Sequence, residues 1–223
     1  MKRGLVLLSL VALPGASLEA QVTADFTPRM GVYIPLENLT VGVDPTTGLP
    51  QRQKAETKFT IGSRLGVWFG PTFGLEGVVD YNKSGVTTYL GGVPTTPTAG
   101  SHIFAASGRA MLKLHVADNN FAVILNGGAG ILDRGGEYIN GINPPSTTYT
   151  GRTDFAPAAG ISFLIRLKKD VAGRIDVDGY TYQAQFSNPI FGTTGQQRQY
   201  DLVIMFGLTG PFKNYGIPGD RDW

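Results

Sequence analysis

The chain has no cysteine in 223 residues, only 2 histidines, and a charged fraction of just 16%. Without thiols it can hold no disulfide framework, thiolate metal site or thiol nucleophile, and no acylated cysteine to make a lipoprotein. A soluble domain carries about 25% Asp, Glu, Lys and Arg, so this surface is poorly equipped for water. The net charge is only +2 and there is no long Lys/Arg run. Nothing electrostatic therefore calls for nucleic acid. No run of about 20 consecutive apolar residues occurs, so a membrane-spanning helix is not expected. Glycine is plentiful: the 31 Gly and 14 Pro make up about a fifth of the chain, below the ~25–30% that marks low-complexity sequence. The length suits one folded domain, including a single large all-β unit.

The first residues read as an address. Lys2 and Arg3 precede an apolar stretch from Leu5 to Leu13, then Pro14, Gly15 and the small-residue exit Leu18, Glu19, Ala20. This is the order of a cleaved secretory signal peptide, expected over 1–20.

The remainder alternates with period two. Eight stretches, at 25–34, 57–69, 71–83, 101–114, 120–132, 152–167, 171–186 and 199–212, switch between apolar and small or polar residues, and none carries a helical stripe. Most exceed the 5–6 residues of an ordinary strand and match the ~9–11 that a tilted strand needs to cross a bilayer. The connections alternate in size as well. Short turns near Gly70, Ala117–Asp118 and Lys169 contrast with long polar segments at 35–56, 84–100, 133–151 and 187–198. That sorting predicts an all-β, eight-stranded antiparallel up-and-down transmembrane barrel over 21–212, with 213–223 as a periplasmic tail.

Register can be tested by arithmetic. A turn centred on Gly70 sets Leu65 against Leu75 and Arg64 against Glu76. One centred between Ala117 and Asp118 sets Leu112 against Val123, Arg109 against Asn126 and Gly108 against Gly127. One centred on Lys169 sets Phe163 against Ile175, Leu167 against Val171 and Ser162 against Asp176. A slip of one residue would scatter these sets across both faces.

Cost decides which face meets lipid. An Arg at the midplane of the lipid face costs ~2–4 kcal/mol, so the apolar set must point outward. Arg29, Arg64, Glu76, Asp80, Arg109, Arg166, Arg174, Asp176 and Asp178 are then expected in the lumen, paired and plugging it. Most of the strand-end aromatics suit interfacial belts; Tyr33 and Trp68 share the inward parity and suit caps on the lumen.

Together with the final strand bearing Leu202, Ile204, Phe206, Leu208 and Phe212 on one face, this pattern resembles the small outer-membrane β-barrels of the OmpA and OmpX kind. The resemblance implies a monomer in the outer membrane, surrounded by its lipid, with the four long connections free to meet an extracellular ligand or surface. It also implies a chain-terminal aromatic as assembly mark, a role that Phe212 or Trp223 could fill.

Chemistry-bearing motifs are weak. His102 and His115 fall at opposite ends of one strand, and Ser101, next to His102, points the other way. Asp176 to Gly179 starts like a calcium loop but lacks the later Glu and sits in a strand. The glycines from Gly127 to Gly130 precede no helix. No catalytic, cofactor or metal site is expected. A structural or surface-interaction role is the expected function, with a narrow channel, a lipid-modifying enzyme and a soluble lipocalin-like carrier as rivals.

Overall fold

A computed structural model describes residues 22–115, 121–135, 148–149, 153–168, 171–184, 186–188, 192–193 and 197–215. The expected signal peptide and the last eight residues of the expected tail lie outside the described residues.

Among the described residues every regular element is a strand. In chain order they are β1 (Val22–Pro35), β2 (Thr40–Val43), β3 (Pro50–Ala55), β4 (Lys58–Phe69), β5 (Phe73–Leu90), β6 (Val93–His115), β7 (Phe121–Gly135), β8 (Thr148–Tyr149), β9 (Thr153–Lys168), β10 (Val171–Ala184), β11 (Phe186–Asn188), β12 (Gly192–Thr193) and β13 (Gln197–Tyr215). The eight long ones close into a ring of antiparallel neighbours, β1–β4–β5–β6–β7–β9–β10–β13 and back to β1. Closure pairs every neighbour in the ring, leaving one stretch unpaired between β9 and β10; lipid demands such pairing because hydrocarbon cannot satisfy an open backbone. The alternation sorts side chains as cost requires. Met30, Leu65, Leu75, Leu125, Ile204 and Phe206 are exposed on the outside, while Arg64, Asp176 and Asp178 are fully buried. The soluble carrier, which needs the reverse, is thereby overturned.

Two hairpins differ from the expected register by two residues. Ile61 faces Tyr81, Val67 faces Leu75 and Phe69 faces Phe73, so Arg64 lies opposite Val78 rather than Glu76. The cause is Pro71: it has no N–H to give a ladder, so Gly70, Pro71 and Thr72 all serve as turn, with Gly70 at φ 81°. The second hairpin pairs Leu112 with Leu125, Arg109 with Gly128 and Gly108 with Ala129. A displacement of two preserves the face of every side chain, so the division into lumen and lipid sides stands. In the third, Ser162 faces Asp176 and Phe163 faces Ile175 as expected, and a bulge between Val171 and Ala172 sets Lys168, not Leu167, opposite Val171.

Strands run further than their pattern suggested. Segment 84–100 is not a loop: β5 and β6 continue as a hairpin to Leu90 opposite Val93. Gly91 and Gly92 turn it at φ 58° and 88°, the double positive φ that a two-residue hairpin turn needs. Within 35–56, β2 pairs with β3, and β3 extends the sheet along β5 from Val86 to Leu90. At the other end β13 passes Phe212 and pairs Tyr215 with Val22, so the last strand takes in the start of the expected tail.

One seam is incomplete. Pairing of β9 with β10 ends at Ala158 opposite Tyr180. Above it β9 pairs with β7 up to Thr153, and β10 pairs with β13 up to Ala184. Pro157 stands where the β9–β10 pairing stops. A residue without an N–H is tolerated in a strand where one side goes unpaired.

Candidate functional site: a lumen in three layers

Inward-facing side chains fill the lumen in layers. At the mouth flanked by the short turns, Trp68, Met111 and Ile124 pack together with Leu164 beside them. The Trp68 indole N–H donates to Asp25 Oδ2 at 2.5 Å, and the Lys113 ammonium lies 4.1 Å from the centre of the Trp68 ring. Trp68 thus caps this end, as its parity suggested. Truncation of Trp68 to Ala is expected to cost about 3–5 kcal/mol, the range for a buried Trp, read from urea unfolding in lipid vesicles.

The middle layer is ionic. Asp178, from β10, meets three guanidinium groups: Arg109 Nη1 at 2.5 Å, Arg29 Nη1 at 2.9 Å and Arg64 Nη2 at 3.3 Å. Asp176 takes Arg174 Nε at 2.8 Å, Arg29 at 3.3 Å and Arg64 at 3.4 Å. Asp80 pairs with Arg29, while Glu76 pairs with Arg64 and lies 3.4 Å from Arg174 Nη2. Neutral neighbours complete the set: Ser107 accepts from Arg109 Nε at 3.0 Å, Asn126 Oδ1 from Arg109 Nη1 at 3.2 Å and Ser162 from Arg174 Nη2 at 2.9 Å. Four arginines balance four carboxylates. A neutral, mutually paired set avoids the large penalty of an isolated buried charge.

Eight of the nine expected residues meet here; Arg166 does not. It faces Ala172, beyond Leu164 towards the turn, is half-buried, and makes no ion pair among the described residues. Its parity is inward, but it sits below the charged layer, and the layer balances without it.

The outer layer mixes phenols with apolar groups. Tyr180 accepts from Arg109 Nη2 at 2.6 Å and donates to Asp80 at 3.4 Å, joining it to the layer below. Above, Asp201 Oδ2 accepts from the Tyr33 hydroxyl, from the Tyr182 hydroxyl at 2.8 Å and from Arg134 Nη2 at 3.1 Å. Arg134 also stacks 4.6 Å over the Tyr182 ring. Around these phenols Val86, Ile103, Leu132, Ala156, Ala184 and Val203 form one buried apolar cluster. Sequence reasoning missed Asp25, Arg134 and Asp201. Asp25 and Asp201 were legible by parity with Arg29 and Val203. Arg134 falls in the segment expected as a loop, whereas β7 continues to Gly135.

The weak motifs dissolve into this scheme. His102 faces outward and stacks on Tyr81, with ring centres 6.1 Å apart. Ser101 is buried on the opposite face. Asp176 and Asp178 belong to a strand and are taken up by arginine. Gly128 and Gly130 stand where a Cβ would lie 2.1 and 2.0 Å from carbonyl oxygens of β6; their role is close strand approach, not phosphate binding.

A closed eight-stranded antiparallel barrel, apolar outside and ionic within, defines the class: this is the fold of the small outer-membrane β-barrel proteins. Among solved structures the chain is similar to the outer membrane protein OprG from Pseudomonas aeruginosa, with a TM-score of 0.60 at 14% identity over 86% of this chain and 98% of that one. It is also similar to the outer membrane protein AlkL studied in lipid bilayers, with a TM-score of 0.57 at 11% identity over 98% of this chain and 100% of that one. No protein-family model matches the sequence, and no curated protein matches it.

Proposed function

We propose that the protein resides in a bacterial outer membrane as a non-catalytic monomer, and that it takes small apolar solutes into the outer half of its lumen and releases them sideways into the bilayer. The observation that carries this reading is the unpaired stretch of β9 and β10 above Ala158 and Tyr180, beside an outer layer in which Ala156, Ala184, Leu132 and Val203 pack around Tyr33 and Tyr182 above the paired charges, so that a solute enters by parting these side chains. An apolar solute has no reason to cross an ionic layer, because burying unmatched apolar surface there forfeits the charge pairing without a hydrogen bond in return. The lateral seam offers it hydrocarbon directly. The short turns face the periplasm and the long connections the exterior, as in this class of barrel.

A surface-interaction role is the second reading, favoured by the hairpins of β2–β3 and β5–β6, which extend as one sheet past the upper end of β4. Protein reconstituted in planar bilayers is expected to give no ion-conductance steps, and proteoliposomes to take up an apolar fluorescent probe faster than protein-free vesicles. Steady conductance would instead establish the narrow channel; absent uptake would leave the surface role.

A further inference from the structure

Among the described residues, basic side chains are distributed unevenly around the exterior of the outer half. On the face turned away from the lumen, β3 carries Arg52 and Lys54, which lie opposite Tyr89 and Thr87 of β5. Further down the same face, Lys83 of β5 lies opposite His102 of β6, and the next outward pair towards the membrane is Tyr81 and Phe104. Arg52 and Lys83 are exposed, and Lys54 is half-buried. The Arg52 guanidinium is steadied 4.8 Å over the Tyr89 ring. Lys54 and Lys83 have no acidic partner among the described residues, in contrast to Lys58, whose ammonium lies 2.8 Å from Glu56. Across the barrel, among the described residues, the corresponding outward positions hold Asp133 on β7, Thr153 on β9 and Thr181 on β10, with Arg198 the one cation described there.

From Lys83 to the level of Arg52 is six residues along β5, about 20 Å at ~3.3 Å per residue. The cations therefore form a stripe that starts just above the aromatic side chains at the hydrocarbon edge and climbs away from it. A single phosphodiester headgroup at the membrane surface could reach only its foot. We propose that this face of β3, β5 and β6 binds a phosphorylated glycolipid of the outer leaflet, with anionic groups spaced up its saccharide meeting Lys83, Lys54 and Arg52 in turn. Charge complementarity and the position of the stripe directly above the lipid-facing belt favour this occupant. The stripe lies outside the lumen, so this binding is independent of solute transfer.

The test compares the full barrel with the Arg52→Gln/Lys54→Gln/Lys83→Gln variant in nanodiscs doped with a bisphosphorylated glycolipid, its dephosphorylated form, or phosphatidylglycerol, scoring lipid retained through a detergent wash. Unchanged heat-modifiable gel migration verifies that the variant folds. The wild type is expected to retain the bisphosphorylated form preferentially, each lost cation lowering retention roughly fivefold. Equal retention by the variant would overturn the proposal. So would equal retention of phosphatidylglycerol, which would mark a simple surface charge, or displacement by inorganic phosphate at matched concentration, which would mark a site for the free ion.

Discussion

Replacing Asp178 with asparagine is expected to destabilise the barrel by about 3–5 kcal/mol, the cost of stripping one partner from a buried charge set. The side chain keeps its shape, so packing hardly changes; what changes is that Arg29, Arg64 and Arg109 lose the carboxylate they share. A neutral layer acquires a net positive charge in a space sealed below by Trp68 and above by Tyr33 and Tyr182. Urea unfolding in lipid vesicles, followed by the shift between compact and extended gel bands, measures the loss. Coupling the change to Arg109→Met restores neutrality and is expected to recover a large part of it, because well-packed apolar groups can replace a buried ion pair at little cost. A loss within 1 kcal/mol for Asp178→Asn alone would mean that water reaches the layer, and the lumen could then conduct.

Bridging the unpaired seam is expected to abolish solute uptake while leaving the barrel intact. The chain contains no cysteine, so Pro157→Cys/Thr181→Cys places the only two thiols on opposite banks of the seam, just above the last β9–β10 pair at Ala158 and Tyr180. A short bis-maleimide should tie the banks together. Uptake of an apolar probe is expected to fall to the level of protein-free vesicles, whereas each single-cysteine protein treated the same way continues to transport. Heat-modifiable migration checks the fold in each case. Undiminished uptake in the bridged protein would show that solutes do not leave through this seam, and the lateral route would fail.

Particular residues show how far the sequence could be read. Period two assigned Arg64 and Glu76 to one face and Leu65 and Leu75 to the other, and that assignment survived a register error of two residues because parity is unaffected by an even shift. The shift arises at Pro71, which period two counts as strand but which the fold uses in the turn. The loop assigned to 84–100 failed for a related reason: its Thr, Gly and Pro read as irregular chain, yet β5 and β6 support each other as a hairpin clear to Gly91. Arg166 shares the inward parity yet lies below the charged layer, because parity reports the side of a strand and not the height along it.

The sequence alone determined that the strands alternate, that they are long enough to cross a bilayer, and that their charges must turn inward, since each of these is a local property or a cost charged residue by residue. Only the tertiary structure decided which charges meet. Asp178 gathers Arg29, Arg64 and Arg109 from three other strands, a meeting set by the stagger with which the sheet closes on itself. It likewise decided where the β9–β10 ladder ends, because backbone pairing depends on how two neighbours diverge in space and is written in neither strand by itself.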